Sequence, residues 1–178
     1  KFKTQKYKYN KLEDRNLYSK YCSSAEVQSS VKFLNKKTYI HSDNIDIYVY
    51  HTGRIDKDLI YKRVAFLNHL YPGDKIQMKL WLTTPKKTFS KHKKMLGTEN
   101  VNSGLTSFYP NREITIFRKE EYKKLILHEL IHFLDLDFED KMYLNFSRHF
   151  NISPELEILL YESYTEITAC ITNAILTS

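Results

Sequence analysis

The chain has 178 residues, with 28 Lys and Arg against 21 Asp and Glu, 14 Tyr and 10 Phe. Four Gly and four Pro argue against a disordered chain, two Cys exclude a disulfide scaffold, and the length suits one core with a short appendage. A net charge of +7 permits an acidic partner without requiring one, and the absence of an 18-residue apolar run predicts no membrane span. No cleavable leader is visible, although the chain begins at Lys1 and not at Met, and a cytoplasmic location is the default expectation.

Residues 1–20 interleave Lys1, Lys3, Lys6, Lys8 and Lys11 with Phe2, Tyr7, Tyr9 and Tyr18. This pattern fits a nucleic-acid surface, or an arm whose aromatics pack on the domain while the lysines face water. No Arg cluster or nucleic-acid motif accompanies it, so an arm followed by one folded unit over 21–178 is expected. A short helix is expected over 24–34, then strands over 37–41 and 45–51. In the second strand Ile45, Ile47 and Val49 alternate with Asp46, Tyr48 and Tyr50. A helix is expected from Asp56 to Leu70, stopped by Tyr71-Pro72-Gly73-Asp74. Ile76, Met78, Leu80 and Leu82 predict a strand over 75–83. Residues 84–104 read as loop with a lysine-rich surface at 86–94, and a further strand is expected over 112–118. If the sheet edge lies near 104–118, Gly104 would let a substrate backbone approach; otherwise it is an ordinary loop glycine.

The next stretch carries the chemistry. In His128-Glu129-Leu130-Ile131-His132, two histidines four apart share one helix face and can reach a single Zn²⁺, while Glu129 is placed to act as general base on a water activated there. Glu120 to Leu127 are good helix formers with acid at the front, and Leu127, Leu130, Ile131 and Leu134 supply apolar surface. Catalytic zinc takes three protein ligands, so one must come from elsewhere. Asp135 and Phe138 stand where a metzincin pattern needs Gly and His, and His149 lies in an expected loop over 145–153.

The better source is a C-terminal helix, begun by Ser153-Pro154-Glu155 and expected to be buried for its apolar content. Glu162 and Glu166 face the same way inside it, and buried carboxylates need a compensating charge. Zinc and its histidines would supply that, with one Glu as ligand and the other accepting from a ligand imidazole; a solvent-facing stripe is the alternative. Cys170, on the same helix, is expected in the core, and Cys22 has no assigned role.

HELIH followed by Glu162-Ser163-Tyr164-Thr165-Glu166 resembles the gluzincin branch of zinc metallopeptidases, over about residues 112–170. The resemblance implies an α+β, zincin-like domain with a small mixed sheet. It implies Glu162 as the third ligand and Glu166 as the acidic partner of a ligand histidine, although the 30 residues from His132 to Glu162 exceed the spacing of thermolysin-like enzymes. It further implies peptide hydrolysis, with Glu129 moving the proton and a Tyr or His supporting the oxyanion. His149 is the first candidate for that donor; Tyr161, Tyr164 and Tyr109 are others. An endopeptidase acting on protein or peptide, acidic ones included, is the main expectation. The alternatives are a carboxypeptidase or narrow-target amide hydrolase, a non-catalytic zincin-like binding protein, and a basic nucleic-acid binder.

Overall fold

A computed structural model of the chain describes residues 2–8, 25–88, 101–108, 111–137, 141–153 and 159–178. Its strands are β1 (Lys3–Lys8), β2 (Lys36–Ser42), β3 (Ile45–His51), β4 (Ile76–Trp81), β5 (Gly104–Ser107) and β6 (Glu113–Ile116). Its helices are α1 (Ala25–Ser30), continued by a 3₁₀ turn at Val31–Phe33, α2 (Lys57–Leu70), α3 (Tyr122–Phe133), α4 (Lys141–His149) and α5 (Leu160–Ile175). The fold is mixed α+β, and the strands form one sheet in the order β1-β2-β3-β4-β6-β5. The β3–β4 and β4–β6 pairs are parallel and the others antiparallel.

Period-two alternation decides which face of the sheet meets the helices. Ile45, Ile47 and Val49 of β3, Met78 and Leu80 of β4, and Ile114 and Ile116 of β6 enter one core with Ile60, Val64 and Leu67 of α2. From α3, Leu125, Ile126, Leu127, Leu130, Ile131 and Phe133 complete it. A second, smaller cluster lies on the opposite face. There Val27, Leu34 and Phe117 pack with Tyr50 and Trp81, whose rings stack at 3.8 Å, so Tyr50 and Trp81 are buried where simple alternation would expose them. Helix α2 starts as its sequence predicts, with Asp56 Oδ1 accepting from Leu59 N at 2.9 Å.

Three sequence expectations change. Residues 3–8 of the expected packed arm form a strand, paired with β2 over six residues. Gly104 to Ser107, expected to begin in loop, form one of the two edge strands of the sheet among the described residues, β1 being the other. His149 closes α4 and does not sit in a loop. The Ser153-Pro154-Glu155 start, Cys22, Tyr109 and most of the 86–94 lysine run lie in or across residues outside the described set.

Helix α5 corrects a fourth expectation. Its dense apolar content does not bury it: Ile167, Ile171 and Ile175 are 61%, 57% and 63% exposed. At about 100° per residue, these three lie opposite the stripe of Glu162, Thr165, Glu166, Ala169 and Asn173. That polar, small-residue stripe meets the rest of the protein, with Thr165 and Ala169 fully buried. Cys170 is accordingly exposed and not core. The buried Arg63 of α2 anchors the far end of α5, donating to Asn173 Oδ1 at 2.8 Å and to Thr177 Oγ1 at 3.1 Å. Among the described residues no helix is long and apolar enough to cross a membrane.

Candidate metal centre

Helix α3 begins later than its acidic lead predicts. Glu121 precedes it in a left-handed conformation (φ 60°), while the Glu120 carboxylate accepts from Lys87 N at 2.9 Å. From Tyr122 onward the 3.6-residue period sends Leu125, Ile126, Leu127 and Leu130 into the core and leaves His128 and His132 side by side, facing α5.

Three donor atoms converge between the two helices. His128 Nε2 and His132 Nε2 lie 3.1 Å apart, and Glu162 Oε2 lies 3.3 Å from the first and 3.6 Å from the second. Tetrahedral ligands at zinc bond lengths of about 2.0–2.1 Å are separated by about 3.3 Å. The three side chains therefore form a metal-binding triad whose spacing fits zinc.

The outer nitrogens of both imidazoles are engaged. His128 Nδ1 lies 3.2 Å from Glu166 Oε2, and His132 Nδ1 lies 2.5 Å from Asp137 Oδ2. A carboxylate at Nδ1 favours the tautomer with hydrogen there, which donates outward and turns the Nε2 lone pair inward. Two lone pairs and a carboxylate oxygen then point at one spot. That arrangement is repulsive unless a proton or a cation lies among them, and a zinc ion satisfies all three donors.

Each outer partner is itself held. Lys124, one turn before His128, forms an ion pair with Glu166 Oε1, so the carboxylate bridges lysine and imidazole. Asp137 Oδ1 accepts from the buried Thr165 Oγ1 at 3.2 Å. Asp137 reaches His132 because α3 ends in a Schellman turn. Asp135 takes the left-handed conformation (φ 52°), Asp135 N donates to His132 O at 3.1 Å and Leu136 N to Ile131 O at 3.0 Å. The side chain of Arg112 pairs with Asp135 Oδ2 at 2.7 Å and steadies that turn. No sequence pattern points to Asp137. Its five-residue separation from His132 lies outside any helical period, and only the turn brings it back.

The metal-free electrostatics follow from these contacts. Hydrogen bonds from His128 and His132 hold the Glu162 carboxyl down at about 2, against the opposing effect of burial. Burial pulls the His132 imidazolium down, but the bonds to Glu162 and Asp137 overcome it and raise its pKa to about 9. Burial opposes ionisation of Glu166, yet Lys124 and His128 keep its pKa below the usual carboxylate value. Burial raises the Glu129 pKa, countered in part by His128 and by the hydrogen bond from Thr106.

These directions set a pH profile for the metal-free protein. Glu162 contributes stability above its unfolded pKa of about 4.5, which is lost as pH falls toward about 2. His132 contributes below its unfolded pKa of about 6.5, and that contribution is lost as pH rises through about 9. Chemical denaturation of metal-free protein should therefore show greatest stability between about pH 4.5 and 6.5 from this pair. Zinc must displace the His132 proton, so its affinity should rise with pH up to about 9. A flat affinity between pH 6 and 9 in a competitive zinc titration contradicts the proposed ligand set.

The remaining candidates are placed differently. Glu129 turns toward β5 and is 5% exposed. The Tyr161 ring centroid lies 6.2 Å from that of His132, edge-on. His149 is exposed at the end of α4, edge-on to Phe150 at 4.8 Å. The HExxH helix with a distal glutamate on a later helix has the gluzincin-type architecture. Family models, curated proteins and solved structures give no match to this chain. The assignment therefore stands on the triad, which supports a catalytic zinc metallopeptidase.

Proposed function

We propose that the protein is a zinc-dependent endopeptidase. The observation that carries the reading is the convergence of His128, His132 and Glu162 on one point, with a carboxylate, Glu129, next in sequence to the first ligand. Zinc bound there would polarise a water molecule and the carbonyl of the scissile bond. Glu129 accepts the proton of that water and returns it to the leaving amine, a role helped by burial that raises its pKa toward the working range of a general base. Glu166 and Asp137 hold the imidazole rings at fixed angles, which keeps the donor set in register through turnover. Of the candidate donors to the developing oxyanion, Tyr161 is preferred to His149 because its ring lies beside His132. An extended peptide suits the outer side of β5, which ends the sheet among the described residues, pairing main chain to main chain. The excess of basic side chains favours acidic residues near the cut.

The test is cleavage of an unbiased peptide library by protein of measured metal content. About one zinc per chain, internal cleavage, loss of cleavage with a chelator and recovery on adding one equivalent of zinc are the expected results. Removal of single C-terminal residues would replace the endopeptidase reading with a carboxypeptidase. Bound zinc with no cleavage of any peptide would favour a narrow-target hydrolase or a binding protein.

A further inference from the structure

The edge strand does more than border the site. Gly104 and Thr106 alternate with Leu105, so they share one face of β5. Their partners in β6, Ile116 and Ile114, are fully buried in the core beneath α3. On that face Thr106 Oγ1 lies 2.9 Å from Glu129 Oε2 and 3.0 Å from the main-chain oxygen of Glu129. The hydroxyl has a single proton, which it donates to the carboxylate or shares with the main-chain oxygen of the same residue, so either way it stays seated against Glu129. Gly104 sits against the other carboxylate oxygen. A Cβ at Gly104 would lie 2.7 Å from Glu129 Oε1 and 3.2 Å from its Cγ and Cδ.

We infer that Gly104 and Thr106 form a seat for the Glu129 carboxylate, with Thr106 a positioning residue that aims the general base and Gly104 leaving the room it needs. This rests on the hydrolase reading for its catalytic consequence, but the seat is a property of the fold. The close approach of Gly104 is toward Glu129, on the inner side of the strand, where a Cβ would push the carboxylate out of its place. Because the same four-residue strand is the one a peptide would pair with, the position of the bound peptide and the aim of the base are set by one element. A carboxylate with only its helix behind it would sample several rotamers. The hydrogen bond from Thr106 to Oε2, with room for Oε1 only where Gly104 lacks a Cβ, narrows that freedom.

Two measurements test the seat separately from the reaction. In metal-free protein, a double-mutant cycle of Thr106→Val and Glu129→Ala in urea should give a coupling of about tenfold in the folding equilibrium constant. In zinc-loaded protein, Thr106→Val and Gly104→Ala should each lower kcat by about 10- to 100-fold with zinc content and KM unchanged. Thr106→Ser, which keeps the hydroxyl, should recover most of the loss. A coupling below about twofold overturns the seat even if hydrolysis falls. Undiminished kcat in both Thr106→Val and Gly104→Ala overturns the positioning role. Strong coupling in a native protein that cleaves no peptide upholds the seat and removes the peptidase reading instead.

Discussion

Glu129→Gln should retain about one zinc per chain and lose hydrolysis by about 10²- to 10⁴-fold in kcat. The amide has nearly the shape of the carboxylate but cannot take up a proton at working pH. It still accepts a hydrogen bond from Thr106 through its oxygen, and its other end fits beside Gly104. The ligand set of His128, His132 and Glu162 is untouched. Folding should not suffer, because Glu129 is 5% exposed and a neutral amide avoids the desolvation of a buried charge. Metal content, melting temperature and kcat on one peptide decide the matter together. Zinc retained with unchanged melting and abolished cleavage assigns Glu129 to proton transfer. Cleavage within about tenfold of native would take that role away from it.

Glu162→Ala should weaken zinc binding by more than the roughly 10- to 100-fold expected for losing an outer partner of a ligand. It removes the only carboxylate oxygen among the three converging donors and leaves two imidazoles that cannot by themselves neutralise a dication. Glu166→Ala is the internal control. It strips the acceptor from His128 Nδ1 and the partner from Lys124, but leaves all three ligand atoms in place. Its loss of affinity should fall within the outer-partner range. Competition with a chromogenic chelator across both variants ranks them. The reverse order, with Glu166→Ala the more damaging, would exchange the two roles.

The parts of the site that were legible in sequence are those that lie within one element. His128 and His132, like Glu162 and Glu166, are four apart, and the helical period alone puts each pair on one face. The alternation of Ile45, Ile47 and Val49 likewise fixed the inner face of β3 before any partner was known. Helix α5 shows how far such reading extends. Its period puts Glu162 and Glu166 on one face, which does turn toward the histidines, yet its apolar content wrongly predicts a buried helix, for Ile167, Ile171 and Ile175 are exposed. The polar stripe faces inward because α3 presents imidazoles and Lys124 to it, and complementary groups on a second element outweigh apolar content.

The sequence by itself determined the helical histidine pair, its adjacent carboxylate and the spacing of the two distal glutamates, since each depends only on the repeat of a single helix. Only the tertiary structure decided that Asp137 returns to His132, because that contact needs the left-handed turn at Asp135. It also decided that Gly104 and Thr106 enclose Glu129, since they are 25 and 23 residues from it in the chain and meet it only where β5 pairs with β6 beside α3. Contacts between elements follow from strand order and helix placement, and no local period encodes those.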